Sequence, residues 1–230
     1  MLKLKNKFLV VFAILLSSSG LSNAATRISF DRPNLVVVFD EKNTYGYYVG
    51  YRMKMGAFDD AIVSHECQFM FMRVKGEHEV TLRSLEYPIK DWDSAPYSEG
   101  SIRVDGPAWQ FQFSFPPRGC ESGADQDDII VLPAPPGTNL TEYATRGGHF
   151  TVVKKTKVVG IRWVDSDTTL QRREKEKFVS TDVKLAAGNL VVELQKSGTR
   201  SEVDYFDAHS GKQVKGWIQS ANLTNPFPKH

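Results

Sequence analysis

Residues 186–223, AAGNLVVELQKSGTRSEVDYFDAHSGKQVKGWIQSANL, read as a run of short strands. Leu190, Val192 and Leu194 alternate with Val191 and Glu193, Val203 and Tyr205 alternate with Asp204, and Trp217-Ile218 closes the run. The breaks are turn residues, Ser197-Gly198 and then His209-Ser210-Gly211. Strands of this length suit a small closed barrel, which removes the sheet edges that invite aggregation.

The order of features in this stretch is specific. Gly188-Asn189 leads an apolar strand, Ser197-Gly198 turns, and Val203-x-Tyr205-Phe206 returns. After Gly211-Lys212 come Gly216-Trp217-Ile218, a short helical turn and Leu223. This pattern resembles the bacterial SH3-like domain, in which a Gly-Trp-(Val/Ile) strand packs against a Val-x-Tyr strand. The resemblance implies that Tyr205, Gly216, Trp217 and Ile218 form the core of a small barrel. It implies a binding or scaffolding module and names no ligand.

Lys3, Lys5 and Lys7 precede the apolar residues 8–16, and Ser22-Asn23-Ala24 supplies small residues three places and one place before a cut. That is the three-part layout of a secretory signal peptide over residues 1–24, with Ala25 as the first mature residue. The apolar run is too short to span a bilayer, and no later stretch is long and apolar enough either. No cysteine follows the cut to carry a lipid. The whole chain has 29 basic and 27 acidic residues; cleavage removes three lysines and no acid, so 26 face 27 and the net charge is −1. A near-neutral chain lacks the basic face that displaces counterions from nucleic acid, so that partner is excluded.

Two cysteines, Cys67 and Cys120, are bound for an oxidising compartment, and such a pair reads as one disulfide. Closing that loop would stabilise by about 4 kcal/mol on the chain-entropy model.

The first part of the mature chain reads as all-β. Residues 28–30 and 35–39 are strands split by Arg32-Pro33-Asn34. Residues 44–55, TYGYYVGYRMKM, put Tyr45, Tyr47 and Tyr51 on one face and Tyr48 on the other. Residues 67–74, CQFMFMRV, place Phe69 and Phe71 on the face of Cys67, with residues 79–85 as the returning partner. Residues 101–104 and 109–115 form a hairpin about Asp105-Gly106-Pro107. This spacing of strands without a helix predicts a sandwich or barrel over residues 25–131.

Leu132-Pro133-Ala134-Pro135-Pro136-Gly137 opens a stiff linker, residues 132–148, that cannot sit inside a sheet. Residues 149–230 then form the SH3-like domain. Within it residues 150–153 and 158–164 are strands, and 171–177, QRREKEK, reads as a solvated loop or short helix.

SH3-like domains accompany wall-cleaving cysteine peptidases, which open a helix with an Asp-Cys-(Ser)-Gly signature. Here Cys67 sits in His65-Glu66-Cys67-Gln68-Phe69, ahead of a strand pattern, and His149 in Gly147-Gly148-His149-Phe150 is the paper candidate for a base. A thiolate nucleophile needs a helix start or an equivalent electropositive setting, which this context does not give. Glu77-His78-Glu79 and the His65–Cys67 pair lack a matching second ligand pair for zinc, and Asp125, Asp127 and Asp128 lack the glycine and bidentate glutamate of an EF-hand. Neither a metal nor another cofactor is expected. Paired carboxylates for glycoside cleavage are a tertiary arrangement, and no pair among 27 acids is singled out by sequence.

The chain therefore reads as a non-enzymatic binding protein of a Gram-negative periplasm, with export to the medium as the alternative location. In build it resembles small exported β-proteins of the bacterial envelope. That build is shared by lysozyme inhibitors and by immunity proteins that guard against wall-degrading toxins. The resemblance implies an inhibitor or immunity-type protein whose partner is a wall-degrading enzyme. The acidic residues Glu121, Asp125, Asp127 and Asp128, beside Cys120, are the expected contact loop. The alternative is a module tethered to peptidoglycan through Tyr45, Tyr47 and Tyr51, since rigid rings suit both protein faces and sugars. A wall hydrolase with an unrecognised site is a third reading.

Overall fold

A computed structural model describes residues 25–55, 61–74, 79–84, 97–113, 130–131, 150–207 and 210–227. The fold is all-β. The strands are β1 (Ala25–Phe30), β2 (Leu35–Phe39), β3 (Asn43–Met55), β4 (Ala61–Val74), β5 (Glu79–Ser84), β6 (Tyr97–Asp105), β7 (Ala108–Phe113) and β8 (Ile130–Val131). They continue with β9 (Phe150–Val158), β10 (Gly160–Val164), β11 (Thr168–Glu174), β12 (Lys177–Leu185), β13 (Leu190–Ser197), β14 (Arg200–Asp207), β15 (Lys212–Gln219) and β16 (Leu223–Thr224). One 3-10 turn, Ser220–Asn222, precedes β16. No helix among the described residues is long and apolar enough to cross a membrane.

The first sheet is an up-and-down meander. Strands β1 to β7 pair in sequence order, and β9 pairs with β1 along its length and with β7 at Ala108↔Thr151 and Trp109↔Phe150. Because β6 and β7 also pair, the ring closes, leaving the short β8 as a parallel addition to β7. Strand β9 thus belongs to the first sheet and not to the C-terminal unit in which the sequence reading placed residues 149–230. Its Phe150 fills the inside of the ring and its Val158 packs outside, so both ends of the strand are held by the barrel. The chain enters the second sheet through Val159 and Gly160, whose φ of +154° is rarely open to a side-chain-bearing residue.

The second sheet runs β12-β11-β15-β14-β13-β10-β16 and is antiparallel throughout. It is open: among the described residues its end strands, β12 and β16, do not pair with each other, where the sequence predicts a closed barrel. Residues 171–177 are neither loop nor helix; they form most of β11 and the β11–β12 turn. The turn is tight, with Lys175 in the left-handed region at φ 56°. The charged side chains of this hairpin point into water on both sides, which hides its strand character from an apolar period count.

Three apolar layers follow from strand alternation. Inside the ring lie Ile28, Phe30, Leu35, Val37, Tyr48, Phe69, Phe71, Ile102, Trp109 and Phe150. Between the ring and the second sheet, Val36, Val38, Tyr47, Met70 and Met72 meet Ile161, Trp163, Leu190 and Val192. Strand β2 is therefore buried on both faces, which its unbroken run LVVVF requires. The concave face of the second sheet holds Val164, Leu170, Leu185, Val191, Val203 and Ile218.

Candidate functional site

Two tyrosines on one face of β3 pack between the sheets. Tyr47 is 2% exposed and Tyr45 half-buried, both packed in the layer between the sheets, and the Tyr45 ring lies 4.8 Å from that of Phe227. Burial, with a smaller push from Asp40, raises the Tyr45 phenol to about 12. Burial raises Tyr47 as well. Tyr47 cannot meet a partner, which corrects its reading as a contact residue. Tyr51 lies on β3 just past a register shift that leaves Glu66 as an extra residue on β4, and its side chain falls outside the described residues. Outside them too lie Cys120, Glu121, Asp125, Asp127 and Asp128, and with Cys120 the disulfide; of Cys67 only the strand position, opposite Gly50, is described.

Near Tyr47 the two sheets are joined by a buried ion pair, Arg27 Nη1 to Asp204 Oδ2, with both side chains less than a tenth exposed. Arg27 Nε and Asp204 Oδ1 have no hydrogen-bond partner among the described residues. A second buried acid, Glu193, accepts from Ser201 Oγ at 2.6 Å and stands 2.8 Å from Arg162 Nε, close but out of line for a hydrogen bond. The first pair is sealed between the sheets, whereas the second reaches the surface through Arg162 and Lys196.

The residues implied by the SH3-like resemblance separate between two faces. Ile218 and Tyr205 belong to the concave layer, and Gly216 fits because a Cβ there would meet Leu170 at 3.1 Å. Trp217 is buried but lies on the opposite, convex face, since neighbouring residues of a strand alternate. There its ring is edge-on to Phe178 at 5.6 Å and lies beneath Arg173. It is thus a buried residue, as expected, but outside the layer of Ile218 and Tyr205.

The second sheet leaves open a cleft of about 760 Å³ at its β11–β12 side. Strands β11 and β12 wall it with Thr168, Thr169, Asp182 and Lys184, Asp167 stands just before β11, and Tyr205 and Asp207 close it from the end of β14. A shift of register between Thr169 and Gln171 builds the wall: Thr181 Oγ donates to the Leu170 carbonyl at 2.9 Å and accepts from Val183 N–H at 3.2 Å. Two of the carboxylates are positioned internally, Asp167 by the Ala187 N–H at 2.9 Å and Asp207 by the Ser210 hydroxyl at 2.7 Å. Asp182 is exposed and free of such partners among the described residues. Burial, then the nearby Asp207, raises the Tyr205 phenol, so it stays a neutral donor at physiological pH.

Three carboxylates against one lysine give this cleft a negative potential suited to cationic groups and hydrogen-bond donors. Sequence reasoning missed it because its parts come from three separated segments. Among the described residues no three His, Cys, Asp or Glu side chains gather as a metal site. Comparison with protein-family models, curated proteins and solved structures finds no match to this chain.

Proposed function

We propose that this chain is an exported, non-enzymatic binding protein of the bacterial envelope, an inhibitor or immunity-type protein whose partner is a wall-degrading enzyme. The observation that carries the reading is the acid-lined cleft. The inside of the barrel is filled with aromatic and aliphatic side chains, and Tyr47 and Tyr48 of β3 are covered, whereas the cleft is a polar recess open to a partner. Its excess of carboxylates asks for a partner with cationic groups, and charge of this kind speeds encounter and selects partners.

The test is the clearing of purified sacculi by a panel of muramidases, amidases and endopeptidases, each with the protein added at equal molar amount. One enzyme class should lose activity, and Asp182→Lys should restore it by at least about tenfold, since reversing a contact charge costs more than a kcal/mol. Full activity of every enzyme, or fragments released by the protein alone, would overturn the reading.

A further inference from the structure

The convex face of the second sheet carries a second feature, at the other ends of β11 and β12. Phe178 of β12 sits opposite Arg173 of β11, and Trp217 of β15 sits opposite both Gln171 and Glu202. Direct cross-strand partners share a face, so these side chains converge on one patch. The Arg200 guanidinium stacks 4.3 Å from the Phe178 ring centre, and Arg173 lies 6.0 Å from Phe178 and 5.7 Å from Trp217.

Each guanidinium is held by one further bond. Arg200 Nη1 donates to Gln171 Oε1, and Arg173 Nε donates to the Lys175 carbonyl at 3.1 Å. Neither forms an ion pair among the described residues. The neighbouring carboxylate, Glu202, is engaged by Gln195 Nε2 at 2.7 Å. Arg172, pointing the other way, shows the contrast: its guanidinium is matched by Glu174 at 2.5 Å.

We propose that Arg173 and Arg200, stacked on Phe178 and Trp217, form a binding site for a phosphate-bearing ligand. Stacking fixes the plane of a guanidinium while leaving its outer N–H groups free, and a fork fixed in advance loses less freedom on binding an oxyanion. Two cations share this patch with a single carboxylate, Glu202, which is paired with neither, so the patch keeps a net positive charge. A dianion offsets both; a lone carboxylate leaves one unmatched. A phosphate monoester or a diphosphate has the charge and the oxygen count to take both forks. The shared chemistry is a terminal phosphate, free in solution or on a lipid headgroup.

The test is calorimetric titration of the protein with inorganic pyrophosphate at low salt, beside flotation with phosphatidylcholine vesicles with and without about one fifth phosphatidic acid. Binding of pyrophosphate assigns a soluble phosphate; binding only of the acidic vesicles assigns a headgroup. In either case Arg173→Gln and Arg200→Gln should each weaken binding by about tenfold or more. Arg173→Lys and Arg200→Lys should recover part of it by keeping charge without the fork, and Arg172→Gln should leave it unchanged. Unaltered melting temperatures will show that the variants fold. No binding of either probe, or equal binding by wild type and the two glutamine variants, would overturn the site.

Discussion

Gly46 sits between Tyr45 and Tyr47, facing the inside of the ring, where a Cβ would lie well inside van der Waals contact of the Val36 carbonyl oxygen and the Phe71 ring. Backbone on one side and a fully buried ring on the other leave nothing to yield. Gly46→Ala should therefore destabilise by about 1–3 kcal/mol, read as a lowered melting temperature, where an exposed glycine-to-alanine change would be neutral. The Arg27–Asp204 pair makes a different demand. Removing one partner strands a buried charge, so Arg27→Met or Asp204→Leu alone should cost about 3–5 kcal/mol. The double variant should recover much of that, because apolar groups suit a layer already built from Met70, Val192 and Trp163. Denaturation of all four proteins in one double-mutant cycle checks it. Neither the cramped glycine nor the partner of Arg27 was legible in sequence, since each depends on a strand distant along the chain.

Strand β3 links packing to pH. The Tyr45 phenol, at about 12 in the fold, and Tyr47, likewise raised, hold protons that an unfolded tyrosine releases near 10. Folded values above unfolded ones mean that this contribution is complete below about pH 10 and is lost as pH rises from there through 12. Denaturant midpoints should hold level to about pH 9.5 and then fall, and Tyr45→Phe should flatten part of the fall. Strands such as β2, β3 and the β6–β7 hairpin could be read from alternation and turn residues because each is a local pattern. The β11–β12 hairpin could not, as QRREKEK has no apolar face to count, and its positive-φ turn falls on a lysine instead of a glycine. The candidate cleft was hidden for the related reason that Asp167, Asp182 and Asp207 meet only once three strands have been placed.

Seen together, the two sheets are one stack of three apolar layers, and the division into a stapled domain, a linker and a barrel describes only part of it. The all-β class was legible because strand signals recur along the chain. The partition was not, because Phe150 and Val158 look alike in sequence whichever sheet receives them. This assignment has a consequence for the order in which the molecule can be made. Ala25 opens the first sheet and pairs with Val158, so the opening strand waits more than half the chain for one of its two neighbours. A polypeptide emerging from its N-terminus has β1 to β7 in hand as a ribbon with two bare edges, and those edges can recruit each other between molecules. The ribbon becomes a ring only when the segment that also begins the second sheet arrives. The interval before closure is when this protein is most exposed to misassembly, and its length is set by residues 114–149, which separate β7 from β9.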